Sequence, residues 1–143
     1  MIANSPRPVT AGALLPVRPV ALERISCGFP SPAQDYATDE LDPRDLLVRD
    51  AVSTFYVSVE GHSMIDAGLD DGDIAVVDRG ITPVNGMVVV AVVDGQQMIK
   101  RLITDGDDVR LHPENPEYPD LLVTDAMDAR IWGVVTWALH RMK

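Results

Sequence analysis

Long apolar runs, lysine, cysteine and aromatic rings are all scarce in this 143-residue chain. No stretch approaches the ~20 apolar residues that a membrane-spanning helix needs, so no membrane partner is expected. Ala11-Gly-Ala-Leu-Leu15 is too short for a secretory apolar region and runs into Pro16, Arg18 and Pro19, which argues against a signal peptide. Ile25-Ser26-Cys27 faintly resembles a lipoprotein cleavage site, but Glu23 and Arg24 stand where that site needs apolar residues. With a formal net charge of −10 there is little basic surface for phosphate contacts, so any role on nucleic acid should be indirect. A single cysteine excludes an internal disulfide framework and fits a reducing compartment such as the cytoplasm. Aromatic residues make up 5%, so the core must come from Val, Ile, Leu and Ala.

What is present reads as one domain behind an arm. Residues 1–30 form the arm: Pro6, Pro8, Pro16 and Pro19 interrupt small apolar residues without sustained periodicity, which predicts an extended, mobile segment. Residues 31–143 form the body. Asp42 before Pro43 is a helix start, predicting a short helix to about Arg49 whose leucines pack on the body. Thr54–Val59 alternates apolar and polar residues as a half-buried strand does, and Ile74–Val77 is a second short strand. Met87–Val93 is nearly all valine and reads as a central strand buried on both faces. Asp94-Gly95 is a two-residue hairpin signal that returns the chain antiparallel through Lys100. Val109–His112 and Ala129–His140 complete the strands, with a polar loop of three prolines over Pro113–Pro119. Trp132 and Trp137, five apart on the last strand, should face opposite ways, with burial of both the simpler expectation. The fold class expected is mainly β: a bent or twisted, partly closed antiparallel sheet with one or two short helices.

Ser63 stands out chemically. It follows the strand-ending Gly61, where a tight turn can present a hydroxyl beside backbone N–H groups, as a nucleophile with an oxyanion site requires. A serine also needs a base. Of the twelve basic residues ten are Arg, which cannot deprotonate, and only Lys100 and Lys143 are Lys. Lys100 lies inside a strand, where desolvation would free its amine; snorkelling to water is the ordinary alternative, and residue types do not choose between them.

The residues carry a resemblance as well. Gly61-His-Ser63-Met-Ile-Asp66, Asp71-Gly-Asp73, Gly86 and Ile99-Lys100-Arg-Leu102 resemble the peptidase domain of the LexA/UmuD family of self-cleaving Ser-Lys peptidases. The 37-residue interval from Ser63 to Lys100 matches that family's serine-to-lysine separation. Cys27-Gly28-Phe-Pro-Ser-Pro32 with Asp35-Tyr36 resembles the cleavage segment of its UmuD-like members, and the likeness spans about residues 25–143. It implies Ser63 as nucleophile, Lys100 as base and a cut between Cys27 and Gly28. It further implies stimulation by a RecA nucleoprotein filament in the DNA-damage response, a homodimer, and assembly with a Y-family translesion DNA polymerase. His62 departs from the Asp common before the serine in UmuD-like members.

Other constellations compete. His62, His112 and His140 with the many aspartates invite a Ser-His-Asp triad. His62, Asp66, Asp70, Asp71 and Asp73 match neither a calcium loop nor a zinc spacing and read as solvated turn formers, so no metal or cofactor is expected. Cys27 has no second thiol or activating cations nearby. A repressor would need a helix-turn-helix that the proline-rich first 26 residues cannot form, and a type I signal peptidase would need a membrane anchor. A polymerase accessory with the peptidase fold and no cleavage is the non-enzymatic alternative.

Overall fold

A computed structural model describes residues 7–8, 17–22, 24–28 and 38–142. Lys143 and most of the cleavage-segment motif beyond Gly28 therefore lie outside the described residues. The elements in chain order are β1 (Arg7–Pro8), β2 (Arg18–Ala21), β3 (Thr38–Leu41), α1 (Pro43–Leu47), β4 (Thr54–Ser58), β5 (Ile74–Asp78), β6 (Val88–Val93), β7 (Gln96–Asp105), β8 (Asp108–His112), β9 (Leu121–Val123) and β10 (Ala129–Leu139). One 3₁₀ turn, Ile65–Ala67, follows Ser63.

Eight strands form one antiparallel sheet in the order β1-β4-β5-β10-β6-β7-β8-β9. The protein is mainly β, as its sequence indicates, but among the described residues the sheet does not close, and β1 and β9 are its edges. β6 is central, between β10 and β7, because valines at successive positions can bury both faces. Val90 joins Val57, Ala75, Val77 and Ile99 in one core cluster, while Val89, Ala91 and Val93 join Leu102, Leu111 and Val134 in another. Asp94 and Gly95 both take positive φ, 49° and 80°, the conformation of a type I′ hairpin whose twist suits the flanking strands. That turn sets the register in which Lys100 faces Val89.

Several expectations need correction. The arm pairs more than proline content suggested: Arg7–Pro8 lies on β4, and β2 pairs β3 as a separate two-stranded sheet. Prolines are compatible with such short outer strands because the missing N–H can face away from the partner. α1 stops at Leu47, capped by the Asp42 carboxylate accepting from the Arg44 N–H, and none of its residues is buried. Leu46 and Leu47 instead flank an open groove with Ile81 and Trp137. β9 arises within a segment that the sequence left unassigned. β10 shifts register at Ile131/Gly133 and again at Val135/Trp137, so simple alternation cannot place its tryptophans. Trp132 packs edge-on against Phe55 beneath the Arg79 guanidinium, whereas Trp137 is 42% exposed.

A buried charge fastens the entry to β4. Asp78, 2% exposed, accepts from Arg49 Nε (3.0 Å), Ser53 Oγ (2.9 Å) and the Gly80 N–H (2.7 Å). Burial works to raise its carboxyl pKa, but these donors outweigh burial and hold it below the ordinary carboxylate value.

Candidate active site

β4 delivers the chain to the site. At its end Val59 donates to the Asp73 carbonyl and accepts from the Gly72 N–H, both at 2.9 Å, so the 70–73 turn closes over the strand end. Gly61 then turns with φ 99°, a conformation a side chain would strain, and its N–H donates to Asp71 Oδ1 at 2.8 Å. Buried Met64 and Leu69 pin the following turn to the core, joined by the Leu69 N–H to Met64 carbonyl bond. Ser63 is left half-buried between exposed His62 and Met64, beside a small hollow lined by Val59, Gly61, Leu69 and Ile99.

From across the sheet, Lys100 Nζ reaches Ser63 Oγ at 2.8 Å. On β7, Lys100 shares its face with Met98 and Leu102 by strand alternation, and with its cross-strand partner Val89. This apolar setting desolvates the ammonium and lowers the Lys100 pKa from its ordinary value. The desolvated alternative therefore describes Lys100 better than a side chain snorkelling to water. On the same face an apolar groove of about 300 Å³ runs over Ala91, Val93, Leu102, Leu111 and Ile131.

The backbone N–H groups of Ser63 and Met64 donate to no backbone acceptor among the described residues, which leaves them available to an oxyanion. Two of the three histidines are engaged elsewhere: His112 Nδ1 pairs with Asp120 Oδ1 and His140 Nδ1 with Asp73 Oδ1, each at 2.6 Å. Asp73 is not the solvated turn former expected from sequence. It is 3% exposed and also accepts the Asp70 N–H at 2.8 Å. Asp70, Asp73 and His140 offer ligand atoms within 4.8 Å of one another, but His140 Nδ1 is already bonded to Asp73. Cys27 is exposed, and a Cβ added at Gly28 would meet open space. No helix among the described residues is long and apolar enough to cross a membrane.

Residues 19–136 match the family described as peptidase S24-like. The chain belongs to that family. It is 38% identical over 143 residues to Protein SamA of Salmonella typhimurium, covering 100% of this chain and 96% of that one. It is 41% identical over 122 residues to Protein MucA of Escherichia coli, covering 85% and 83%. A LexA repressor of Desulfatibacillum aliphaticivorans is 34% identical over 137 residues, covering 94% of this chain and 65% of the repressor. The LexA/UmuD resemblance read from the motifs is thereby established at the level of the family.

The part that the polar Pro113–Pro119 loop plays at the site escaped the sequence reading. Buried Asn115 donates through Nδ2 to the His62 carbonyl at 2.9 Å, and the neighbouring Glu114 carbonyl accepts the Asp66 N–H at 2.9 Å. Three prolines mark this segment as a loop, but nothing local in the sequence ties it to a turn 53 residues away.

Proposed function

We propose that this protein is a self-cleaving serine peptidase of the DNA-damage (SOS) response that cuts its own arm between Cys27 and Gly28. The observation that carries this reading is the 2.8 Å approach of Lys100 Nζ to Ser63 Oγ, with burial favouring the neutral amine. Membership of a peptidase family supplies the reaction class.

In the proposed chemistry, neutral Lys100 takes the Ser63 proton as Oγ attacks the Cys27 carbonyl carbon. The resulting oxyanion is held by the Ser63 and Met64 N–H groups. The Lys100 ammonium then gives its proton to the Gly28 nitrogen as the C–N bond breaks, releasing a fragment that begins at Gly28. Water, deprotonated in turn by Lys100, hydrolyses the ester left between Cys27 and Ser63. No metal or cofactor enters any step.

In the proposed reaction the segment docks against the Ser63 turn; Cys27 is exposed in this structure, and a Cβ at Gly28 would meet nothing within 4 Å. Val20, Leu22 and Ile25, exposed just upstream of Cys27, offer apolar side chains to the groove on the Lys100 face. Burial of such side chains is worth roughly 1.5–3 kcal/mol each when complete, enough to favour docking once it is triggered. We assign the trigger to a RecA nucleoprotein filament and the trimmed product to a homodimer that serves, in the cytoplasm, as accessory to a Y-family translesion polymerase. These assignments rest on the family likeness.

Mass spectrometry of the purified chain with and without an activated RecA filament tests the reading. The expected result is a new species beginning at Gly28 with the filament present. An unchanged mass under both conditions would favour the non-catalytic accessory.

A further inference from the structure

We infer that Asn115 is a positioning residue that aims the Ser63 N–H at the oxyanion site, an inference that rests on the peptidase reading above. Asn115 is 7% exposed, and its amide has two separate engagements. Oδ1 accepts the Glu117 N–H at 3.0 Å, which leaves Nδ2 to donate to the His62 carbonyl at 2.9 Å. A peptide unit is planar, and no peptide among the described residues is cis. The His62 carbonyl and the Ser63 N–H therefore point in opposite directions from one rigid plane. Fixing the carbonyl fixes the donor.

The hold on that plane is itself anchored to the strand that bears the base. Arg101, next to Lys100 on β7, pairs through Nε with the Glu114 carboxylate and donates through Nη1 to the Gly86 carbonyl at 2.6 Å. Glu114 adjoins Asn115, its carbonyl takes the Asp66 N–H, and its own N–H faces Met64 Sδ at 3.4 Å. β7 thus meets the Ser63 turn twice. Lys100 reaches the hydroxyl directly, and Arg101 reaches the peptide plane through Glu114 and Asn115. Both halves of the site, proton acceptor and oxyanion donor, take their position from one strand.

Two variants separate this role from ordinary loop support. Asn115→Asp keeps the acceptor for the Glu117 N–H but replaces the donor with a carboxylate oxygen that repels the His62 carbonyl, whereas Asn115→Ala loses both groups. If Asn115 positions the turn, both variants cleave themselves roughly tenfold to a hundredfold more slowly than the parent chain at alkaline pH, less than deleting an oxyanion donor outright costs. Asn115→Ala should keep the parent's pH profile, because it leaves Lys100 untouched and adds no charge, whereas the carboxylate of Asn115→Asp should shift the profile to higher pH by favouring the Lys100 ammonium. In Asn115→Asp the Ser63 backbone amide resonance should move, since its nitrogen senses the hydrogen bond at the preceding carbonyl. A near-parental rate in Asn115→Asp with a slow Asn115→Ala would overturn the inference and leave loop capping as the whole role. An unmoved Ser63 amide in Asn115→Asp would overturn it also, whatever the rates. Failure of the parent chain to cleave would instead remove the peptidase reading, which the amide measurement does not depend on.

Discussion

Lys100 Nζ and Ser63 Oγ stand 2.8 Å apart although 37 residues separate them in the chain. The Asp94-Gly95 hairpin fixes where Lys100 falls on β7, and the Gly61 turn fixes where Ser63 leaves β4. Their meeting is a property of sheet register, so a one-residue slip of β7 would turn Lys100 to the other face.

Ser63→Ala should abolish release of the Gly28 fragment while destabilising by only about 1 kcal/mol, because the side chain is small, half-buried and gives up one hydrogen bond, to Lys100. Mass spectrometry and urea denaturation check the two parts. A folded Ser63→Ala protein that still yields the fragment, free of contaminating protease, would exclude Ser63 as the nucleophile.

Lys100 should cost the fold stability in a pH-dependent way. Its folded pKa lies below the unfolded value, so the ammonium is disfavoured in the fold and the penalty is fully present below the folded pKa. It fades as pH rises from the folded pKa towards the unfolded value of about 10.4. Relative to the parent chain, Lys100→Met should therefore gain more stability at pH 7 than at pH 10.5. Denaturation midpoints at the two pH values provide the comparison, and the lost Ser63 hydrogen bond cancels to first order.

Asp78→Ala should destabilise by about 2–3 kcal/mol at pH 7, because it strands the Ser53 hydroxyl and the Gly80 N–H as well as breaking the Arg49 pair. Arg49 is mostly exposed, which keeps the estimate modest. The folded carboxyl titrates below its unfolded value, so its contribution is present above about pH 4 and is lost as pH falls through the folded pKa. Thermal melts of parent and variant should thus converge only in strong acid.

Gly133 has no room for a side chain, since a Cβ there would lie 2.6 Å from Val77 Cγ1 in the neighbouring strand. Gly133→Ala should cost about 1–3 kcal/mol, and adding Val77→Ala should recover part of that loss. Strictly additive losses in the double variant would show that the two positions do not conflict.

The legible parts of this chain were those with a local code. Alternation announced β4, the valine run announced β6, and Asp94-Gly95 announced the hairpin and with it the line of Lys100. The unread parts depend on contacts without any period. Asn115 looked like one more polar residue among prolines, because its bond to the His62 carbonyl exists only after β7, β8 and the Ser63 turn have assembled. Asp73 looked like a solvated turn former because His140, its partner, is 67 residues away. The two shifts in β10 and the close approach of Gly133 to Val77 are likewise features that the spacing of Trp132 and Trp137 could not reveal.

The rate of self-cleavage between pH 6 and 10.5, without filament and with circular dichroism confirming the fold, tests the central claim most directly. An unperturbed lysine near 10.4 would be neutral in only about one molecule in several thousand at pH 7. Burial improves on that fraction, so the rate should climb by up to about tenfold per pH unit above neutrality and level off below about pH 10.4. Lys100→Ala should remove the reaction, while His112→Ala and His140→Ala should retain it. A histidine base, with a reference pKa near 6.5, would instead level off by about pH 7.5. A plateau there that survives in Lys100→Ala and disappears in a folded His112→Ala or His140→Ala protein would contradict the account.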